Sequence, residues 1–271
     1  MAETTARAAE MGQVPAAASA PTVSRPRVYA LLALGIVCIA FSAIFVRWAG
    51  VSGTVSAWYR VAIAALVLAP LFGGRLAQGR VARGEHAWLL AAGAGLFFAL
   101  DLALWNTSLF LTTAATSTLL GNDAPIIVGL GALLLFHERL GRAFWVGLAL
   151  ALLGMGVIVG RDVFAGSAPA AGDLLALGAG ASYGLYLLTT GRLRARMDTL
   201  STLWIAGAVG AFLLLLVNLV AHRALWGFSP RAYLALLGLG LISQVGGWLA
   251  INFALGHLSA PIVSVTLLAQ P

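Results

Sequence analysis

The pentapeptide LLALG occurs twice in this sequence, as residues 31–35 and again, 143 residues further on, as residues 174–178. The first copy lies within the apolar stretch VYALLALGIVCIAFSAIFVRWA, residues 28–49. A helix needs roughly 20 apolar residues, each rising about 1.5 Å, to cross a bilayer. The stretch therefore predicts a membrane-spanning helix, and the second copy predicts a related helix that begins near residue 172.

The composition extends this interpretation to the whole chain. Of its 271 residues, 61% are hydrophobic and 9% are charged, and the mean hydropathy is +0.97. Soluble domains carry about 25% charged residues, so the nine acidic and sixteen basic residues here are too few to cover a large soluble core. The sequence thus predicts an all-α integral membrane protein.

The net charge of +7 does not indicate a nucleic-acid partner. All sixteen basic residues are arginine and form no cluster interleaved with aromatic residues, a pattern typical of loops that face anionic lipid. The single cysteine, Cys38, excludes an intrachain disulfide, and no two histidines have the i, i+4 spacing of a metal pair. Without lysine there is no P-loop. We therefore expect no enzyme activity, no cofactor and no metal.

Apolar runs of spanning length recur along the chain between short polar or glycine-rich breaks. They predict eight complete spans, and a ninth that begins near Ser259: 28–49, 54–73, 87–110, 113–136, 142–160, 172–191, 199–221 and 231–256. Eleven arginines fall in the tail and loops on one side of this bundle and four on the other. By the positive-inside rule, this predicts a multi-pass protein of the inner (plasma) membrane with a cytoplasmic N-terminus.

Further similarities support an internal duplication. Three pairs share an offset of 146 residues: Asn106 with Asn252, Thr113-Ala114 with Ser259-Ala260, and Pro125 with Pro271. Near-constant offsets over a hundred residues are typical of a gene duplication. Because each unit contains an odd number of spans, five, the second copy must cross the membrane in the opposite orientation, as in the inverted repeats of transporters.

The boundaries that follow from this duplication divide the chain into four parts. They are a disordered cytoplasmic tail at 1–27, a first five-helix repeat at 28–160, a linker at 161–171 and a second repeat at 172–271. The first repeat continues for about 35 residues beyond Pro125, whereas the second ends at the counterpart of that proline. The sequence therefore predicts an inverted repeat of two five-helix bundles, a ten-helix type, truncated in helix nine.

Five segments occur in an order and at spacings typical of one transporter family. They are the small-residue entry and mid-helix proline of 113–125, the segment 131–135, the loop FHERL at 136–140, the glycine-rich segment 147–159, and the tripeptide Trp58-Tyr59-Arg60. Over about residues 28–271 the chain resembles the EamA-type transporters of the drug/metabolite transporter superfamily. The resemblance implies a ten-helix secondary carrier, commonly an exporter of amino acids or other metabolites, and it implies no particular solute.

Two carboxylates fall at bilayer depth, Asp101 in the third span and Asp123 in the fourth. An aspartate at the centre of a spanning helix costs about 2.5–3.5 kcal/mol on insertion scales, so both are functional candidates. We expect one or both to bind a cationic group of the substrate or to take up a coupling proton. The alternative is an interhelical hydrogen bond or an ion pair with Arg60, which we interpret as structural. Their counterparts, Gly247 and Ala269, are uncharged.

Polar and aromatic residues in matching helices are candidates for the wall of a cavity, since aromatic walls with a few polar groups suit amphiphilic metabolites. Buried amides that join helices, and aromatic residues at the membrane interface, are the alternative. The two prolines, Pro125 and Pro271, are predicted to kink their helices at mid-membrane. The candidate lining residues are Trp105, Asn106, Asn122, Tyr183, Tyr186, Gln244, Trp248, Asn252 and Gln270.

Together these features predict a secondary active transporter that exports a small metabolite, such as an amino acid or a drug-like amphiphile, by alternating access. Its expected partners are the small-molecule substrate and the lipid bilayer, without nucleic acid; proton coupling and homodimer formation stay open. Two alternatives remain. One is a non-transporting membrane protein or inactive fragment. The other is a lipid-modifying membrane enzyme, for which the loops are short and carry little charge.

Overall fold

The computed structural model of the chain describes residues 24–81, 85–135, 137, 140–164 and 171–270, and these form helices and connecting turns without a strand. The helices of the first half are α1 (Arg25–Ala40), α2 (Ser42–Ala49), α3 (Gly53–Ala77), α4 (Glu85–Ser108), α5 (Ala114–Leu120), α6 (Ala124–Leu134) and α7 (Arg142–Phe164). Helices α1 and α2 form one span broken at Phe41, and α5 and α6 form another, broken at residues 121–123.

The second half follows the same order. Its helices are α8 (Ala171–Leu193), α9 (Thr199–Val220), α10 (Pro230–Gly238), a π-helix (Leu239–Gly247), α11 (Trp248–Leu255) and α12 (Ala260–Leu267). Helix α10, the π-helix and α11 form one continuous span. Within the described residues, seven segments are long and apolar enough to cross a membrane. The prediction of an all-α membrane protein is confirmed; the ten-helix count stays a prediction.

The observed helix bounds differ from the predicted spans by only a few residues. Helix α1 begins at Arg25, inside the predicted tail, and α7 continues to Phe164, inside the predicted linker. The tail up to residue 23, the linker residues 165–170, and Pro271 lie outside the described residues. The predicted kink at Pro271 therefore stays a prediction.

Side chains at the helix starts explain several of these bounds. Ser52 precedes α3 and accepts a hydrogen bond from the Val55 amide, and Thr113 accepts one from the Thr116 amide at the start of α5. Asp198 accepts bonds from two amides in the first turn of α9. Each cap satisfies backbone donors that a helix start leaves without partners, which matters most where water is scarce.

The core lies between the two halves. Helix α4 of the first half packs along α8 of the second, α3 packs along α9, and α1 along α11. Close approach depends on glycine at several points: a Cβ at Gly95 of α4 would lie 2.7 Å from the Ala206 carbonyl oxygen of α9. Leucine and valine side chains cover the outer surface, as expected of helices that face lipid.

Candidate functional site

Three spans depart from regular α-helix around one central cavity. The first span is interrupted at Phe41, directly before Ser42, and the fourth is interrupted at residues 121–123. Ser42, Gly121 and Asn122 all line the cavity. The eighth span widens into the π-helix beside the same site. Broken helices and π-helical turns leave some backbone N–H and C=O groups without the regular hydrogen bonds of an α-helix, and both are frequent at functional sites.

The break in the fourth span corrects the prediction for Pro125. This proline does not kink a continuous helix, because it lies in the first turn of α6. A helix start needs no amide donor there, so proline is well tolerated. In the second half, α12 ends at Leu267 and is followed by turn residues. An offset of 146 residues from Leu120, the last residue of α5, leads to residue 266, one residue before the end of α12.

The cavity has a volume of about 40 Å³. Binding sites for small molecules commonly measure about 300–1,000 Å³, so this cavity is too small to hold a small-molecule solute without movement of its walls. It is bounded by residues from both halves of the chain. Six of the predicted site residues line it: Asp101, Trp105, Asn122, Tyr183, Trp248 and Gln270.

Arg60 also lines the cavity, and its environment differs from the one expected. Its side chain is only 4% exposed, and its Nε donates a 2.6 Å hydrogen bond to Oε1 of Gln244 in the π-helix. Asp101 lines the same cavity, yet the two residues form no direct ion pair. Arg60 therefore neither pairs with a carboxylate nor extends to the membrane surface. At the offset of 146 residues its counterpart is Ala206.

The two matching asparagines lie outside the cavity wall and join helices. Nδ2 of Asn106 donates to Oγ of Ser56 at 3.0 Å, and Nδ2 of Asn252 donates to the Tyr186 hydroxyl at 3.1 Å. Both asparagines are fully buried. These contacts are of the kind that holds membrane helices together, the alternative considered for buried amides.

Asp123 lies in the break of the fourth span, beside the cavity wall rather than in it. One of its carboxylate oxygens is buried without a hydrogen-bond partner. The carboxylate packs on Gly180 of α8 so closely that a Cβ there would overlap it. Of the two predicted carboxylates, only Asp101 lines the cavity.

Aromatic rings form one side of the cavity. The ring of Trp248 lies edge-on to three others, with centroid distances of 4.9 Å to Phe98, 5.1 Å to Tyr186 and 5.7 Å to Tyr183. Phe98 and Tyr186 stack at 4.7 Å. Such offset and edge-to-face pairs are the preferred geometries of aromatic side chains. Tyr183 and Trp248 of this cluster line the cavity and give it an aromatic side.

Two arginines at the ends of matching spans make contacts that the sequence analysis did not identify. Arg47 donates to the carbonyl oxygens of Leu109 at 2.9 Å and Thr112 at 3.1 Å. Arg194 donates from Nε to the Asn252 carbonyl at 3.1 Å and also bonds the Met197 carbonyl. We call Arg47 and Arg194 the arginine clamps.

The clamps are 147 residues apart, close to the offset of the other repeated pairs. This spacing could have identified them from the sequence as corresponding residues of the two repeats. Arg47 bonds residues beside the start of α8, where Gly172 approaches Leu111, and Arg194 follows the end of α8, so the clamps lie at opposite ends of the helix bundle. Burial lowers the pKa of Arg194, and the charge of Asp198 acts in the opposite direction.

Comparison with known proteins places this geometry among transporters. The model of the EamA-like transporter family matches residues 26–160 and 170–271. Among solved structures, 17 chains match. One of them, described only as the crystal structure of a protein, has a TM-score of 0.71 at 21% sequence identity and covers 92% of this chain and 85% of its own, which shows a shared fold. No curated protein matches the chain.

Proposed function

Because this chain belongs to the EamA-like transporter family, we propose that it is a secondary active carrier that exports a small metabolite by alternating access. The observation that carries the proposal is the small cavity between the two halves, which the charged residues Arg60 and Asp101 both line. Buried ionisable residues in membrane helices are expensive and mark solute or proton pathways. A purely structural bundle has no need of them.

The helix breaks support the same mechanism. Inverted-repeat carriers place the solute at the interface of their repeats, beside discontinuous helices. Here the repeats are proposed to extend over residues 28–160 and 172–271, and the cavity lies between them. Rocking of one repeat against the other would open the cavity to each side of the membrane in turn. Asp101 is the proposed site for a cationic group of the solute or a coupling proton.

The aromatic side favours a solute with an apolar portion, such as an amino acid or a drug-like amphiphile. The arginine distribution favours insertion in the inner membrane with a cytoplasmic N-terminus. These finer assignments rest on residue chemistry and on the arginine count.

The first test compares metabolites in the medium of cells that overproduce the wild-type chain, the Asp101→Asn variant, or no added protein. We expect one class of solute to accumulate outside wild-type cells, and accumulation to fall to the empty-vector level in the variant. Membrane fractions must contain equal amounts of both proteins. Identical media from all three cultures would contradict export, and identical accumulation by variant and wild type would contradict the role of Asp101.

A further inference from the structure

The cavity is lined by hydrogen-bond donors that the protein leaves unused. The Ser42 hydroxyl, the Tyr183 hydroxyl and the Trp248 indole nitrogen have no hydrogen-bond partner among the described residues, and all three residues line the cavity. Their side chains are 1%, 7% and 3% exposed. Buried polar groups in proteins are almost always hydrogen-bonded. A group of unpartnered donors around one cavity therefore indicates an acceptor-rich ligand.

Arg60 adds a cation to this group of donors. Its guanidinium carries five N–H donors, and within the described residues the bond from Nε to Gln244 uses one of them. The others have no protein partner in the part of the chain that the structure describes. A planar guanidinium fits a carboxylate through two parallel hydrogen bonds and stays protonated even when buried.

We infer that Arg60 is the anchor for a carboxylate of the transported solute, and that Gln244 is a positioning residue that orients the guanidinium. The inference rests on the proposed carrier function and names the chemical class of its substrate. Among the described residues, Asp101 is the one acidic residue in the lining, so it suits a donor elsewhere on the same solute. The aromatic side receives the apolar portion.

Gln244 is suited to this positioning role by its place in the fold. Its side chain is 0% exposed, and its Oε1 fixes the orientation of Arg60 from the opposite half of the chain. The π-helix brings the amide into reach of α3. Movement of one repeat against the other would therefore change the orientation of the anchor, and with it the affinity for the carboxylate.

Binding to the purified full chain tests the inference, with 3-phenylpropionate as the probe and its uncharged amide as the matched comparison. Tryptophan fluorescence reports binding, since Trp105 and Trp248 line the cavity. We expect the wild type to bind the carboxylate about tenfold to a hundredfold more tightly than the amide, the range for a charge-assisted pair. Arg60→Gln removes this preference and Arg60→Lys retains part of it. The control Arg223→Gln, at an exposed residue outside the cavity lining, leaves it unchanged.

A double-mutant cycle tests Gln244. Gln244→Ala is expected to weaken carboxylate binding severalfold in the wild type and to have no effect in the Arg60→Gln background. Gln244→Glu places a competing carboxylate beside Arg60 and abolishes the preference. A loss from Gln244→Ala that is equal in both backgrounds, or equal for both probes, would assign the residue a merely structural role.

The anchor is overturned if the folded wild type binds both probes equally or fails to bind the carboxylate at millimolar concentration. It is also overturned if Arg60→Gln weakens both probes alike. Counterflow in proteoliposomes separates this result from the carrier proposal. A carboxylate preference without transport contradicts the carrier and keeps the anchor, whereas transport that Arg60→Gln does not change contradicts the anchor alone.

Discussion

Arg60 and Asp101 bring opposite charges to a cavity whose other lining side chains, in the described part of the chain, are uncharged. Removing two charges from water is expensive, and a close ion pair is the usual way to offset that cost. The side chains instead face one cavity without direct contact. Each charge therefore stays available to a solute or a proton, which a tight pair would prevent.

The two predicted carboxylates should respond differently to neutralisation. We expect Asp101→Asn to lower transport at least tenfold and to remove its pH dependence, because Asp101 lines the cavity and faces Arg60. Asp123→Asn, the matched control, keeps transport within about twofold, since Asp123 packs on Gly180 instead. Uptake into vesicles at several pH values measures both. Equal losses in the two variants would show that position in the cavity does not decide the role.

Individual lining residues were only partly predictable from the sequence. Trp105 and Asn106 are neighbours in α4, yet Trp105 lines the cavity and Asn106 bonds Ser56 of α3. Consecutive residues of a helix point about 100° apart, and the rotation of α4 is set by the helices packed around it. Polarity identifies both residues as candidates, whereas only the packing of α3 and α8 assigns their directions.

At the scale of elements, the spans were predictable, whereas their interruptions were predictable only in part. Bilayer thickness fixes the length of an apolar helix, so runs such as 199–221 predicted α9 (Thr199–Val220) closely. The π-helix leaves no such mark in the composition and depends on contacts with other helices, such as that of Gln244 with Arg60. The break at 121–123 does have a signal, because Gly121-Asn122-Asp123, shortly before Pro125, is a turn-forming sequence.

The packing of α6 on α8 gives a prediction about single glycines. A Cβ at Gly184 would lie 2.7 Å from the Ile127 Cβ and 3.0 Å from the Ala124 carbonyl oxygen. We expect Gly184→Ala to cost about 1–3 kcal/mol, the usual penalty of overpacking.

Gly178→Ala on the same helix is the control, because its Cβ would meet only an ordinary contact at 3.4 Å. Both variants gain the helix propensity of alanine. The difference between their thermal unfolding midpoints in detergent therefore reports the cost of the steric clash at Gly184. A midpoint for Gly184→Ala equal to or above that of Gly178→Ala would contradict the close packing.

At the scale of the whole molecule, both arginine clamps are engaged at once. Arg47 bonds carbonyls beyond the third span, and Arg194 bonds the carbonyl of Asn252 near the end of the eighth. The cavity has a volume of only about 40 Å³. A carrier opens to one side at a time, so each opening is expected to release one clamp.

Loss of one clamp should favour opening of the carrier on one side of the membrane, and loss of the other clamp should favour opening on the other side. Cys38 is the only cysteine of the sequence, so Cys38→Ser with Ser42→Cys places a single thiol in the cavity. We expect Arg47→Ala to raise labelling by a membrane-impermeant maleimide about tenfold from the face of Arg47, and Arg194→Ala from the other face. This follows from the loss of charge-assisted bonds that hold one end closed. Vesicles of both orientations provide the comparison, and equal labelling from both faces would exclude a gating role.

The uneven distribution of charge between the repeats affects the kinetics of such a carrier. Arg60 has Ala206 as its counterpart and Asp101 has Gly247. The cavity wall in the inward-open state therefore differs in its arrangement of charges from the wall in the outward-open state. A solute that arrives from the cytoplasm and one that arrives from outside would then half-saturate the carrier at different concentrations. Net flux at equal electrochemical potential still remains zero. The asymmetry therefore sets how strongly the carrier responds on each side, while the gradient alone sets the direction of transport.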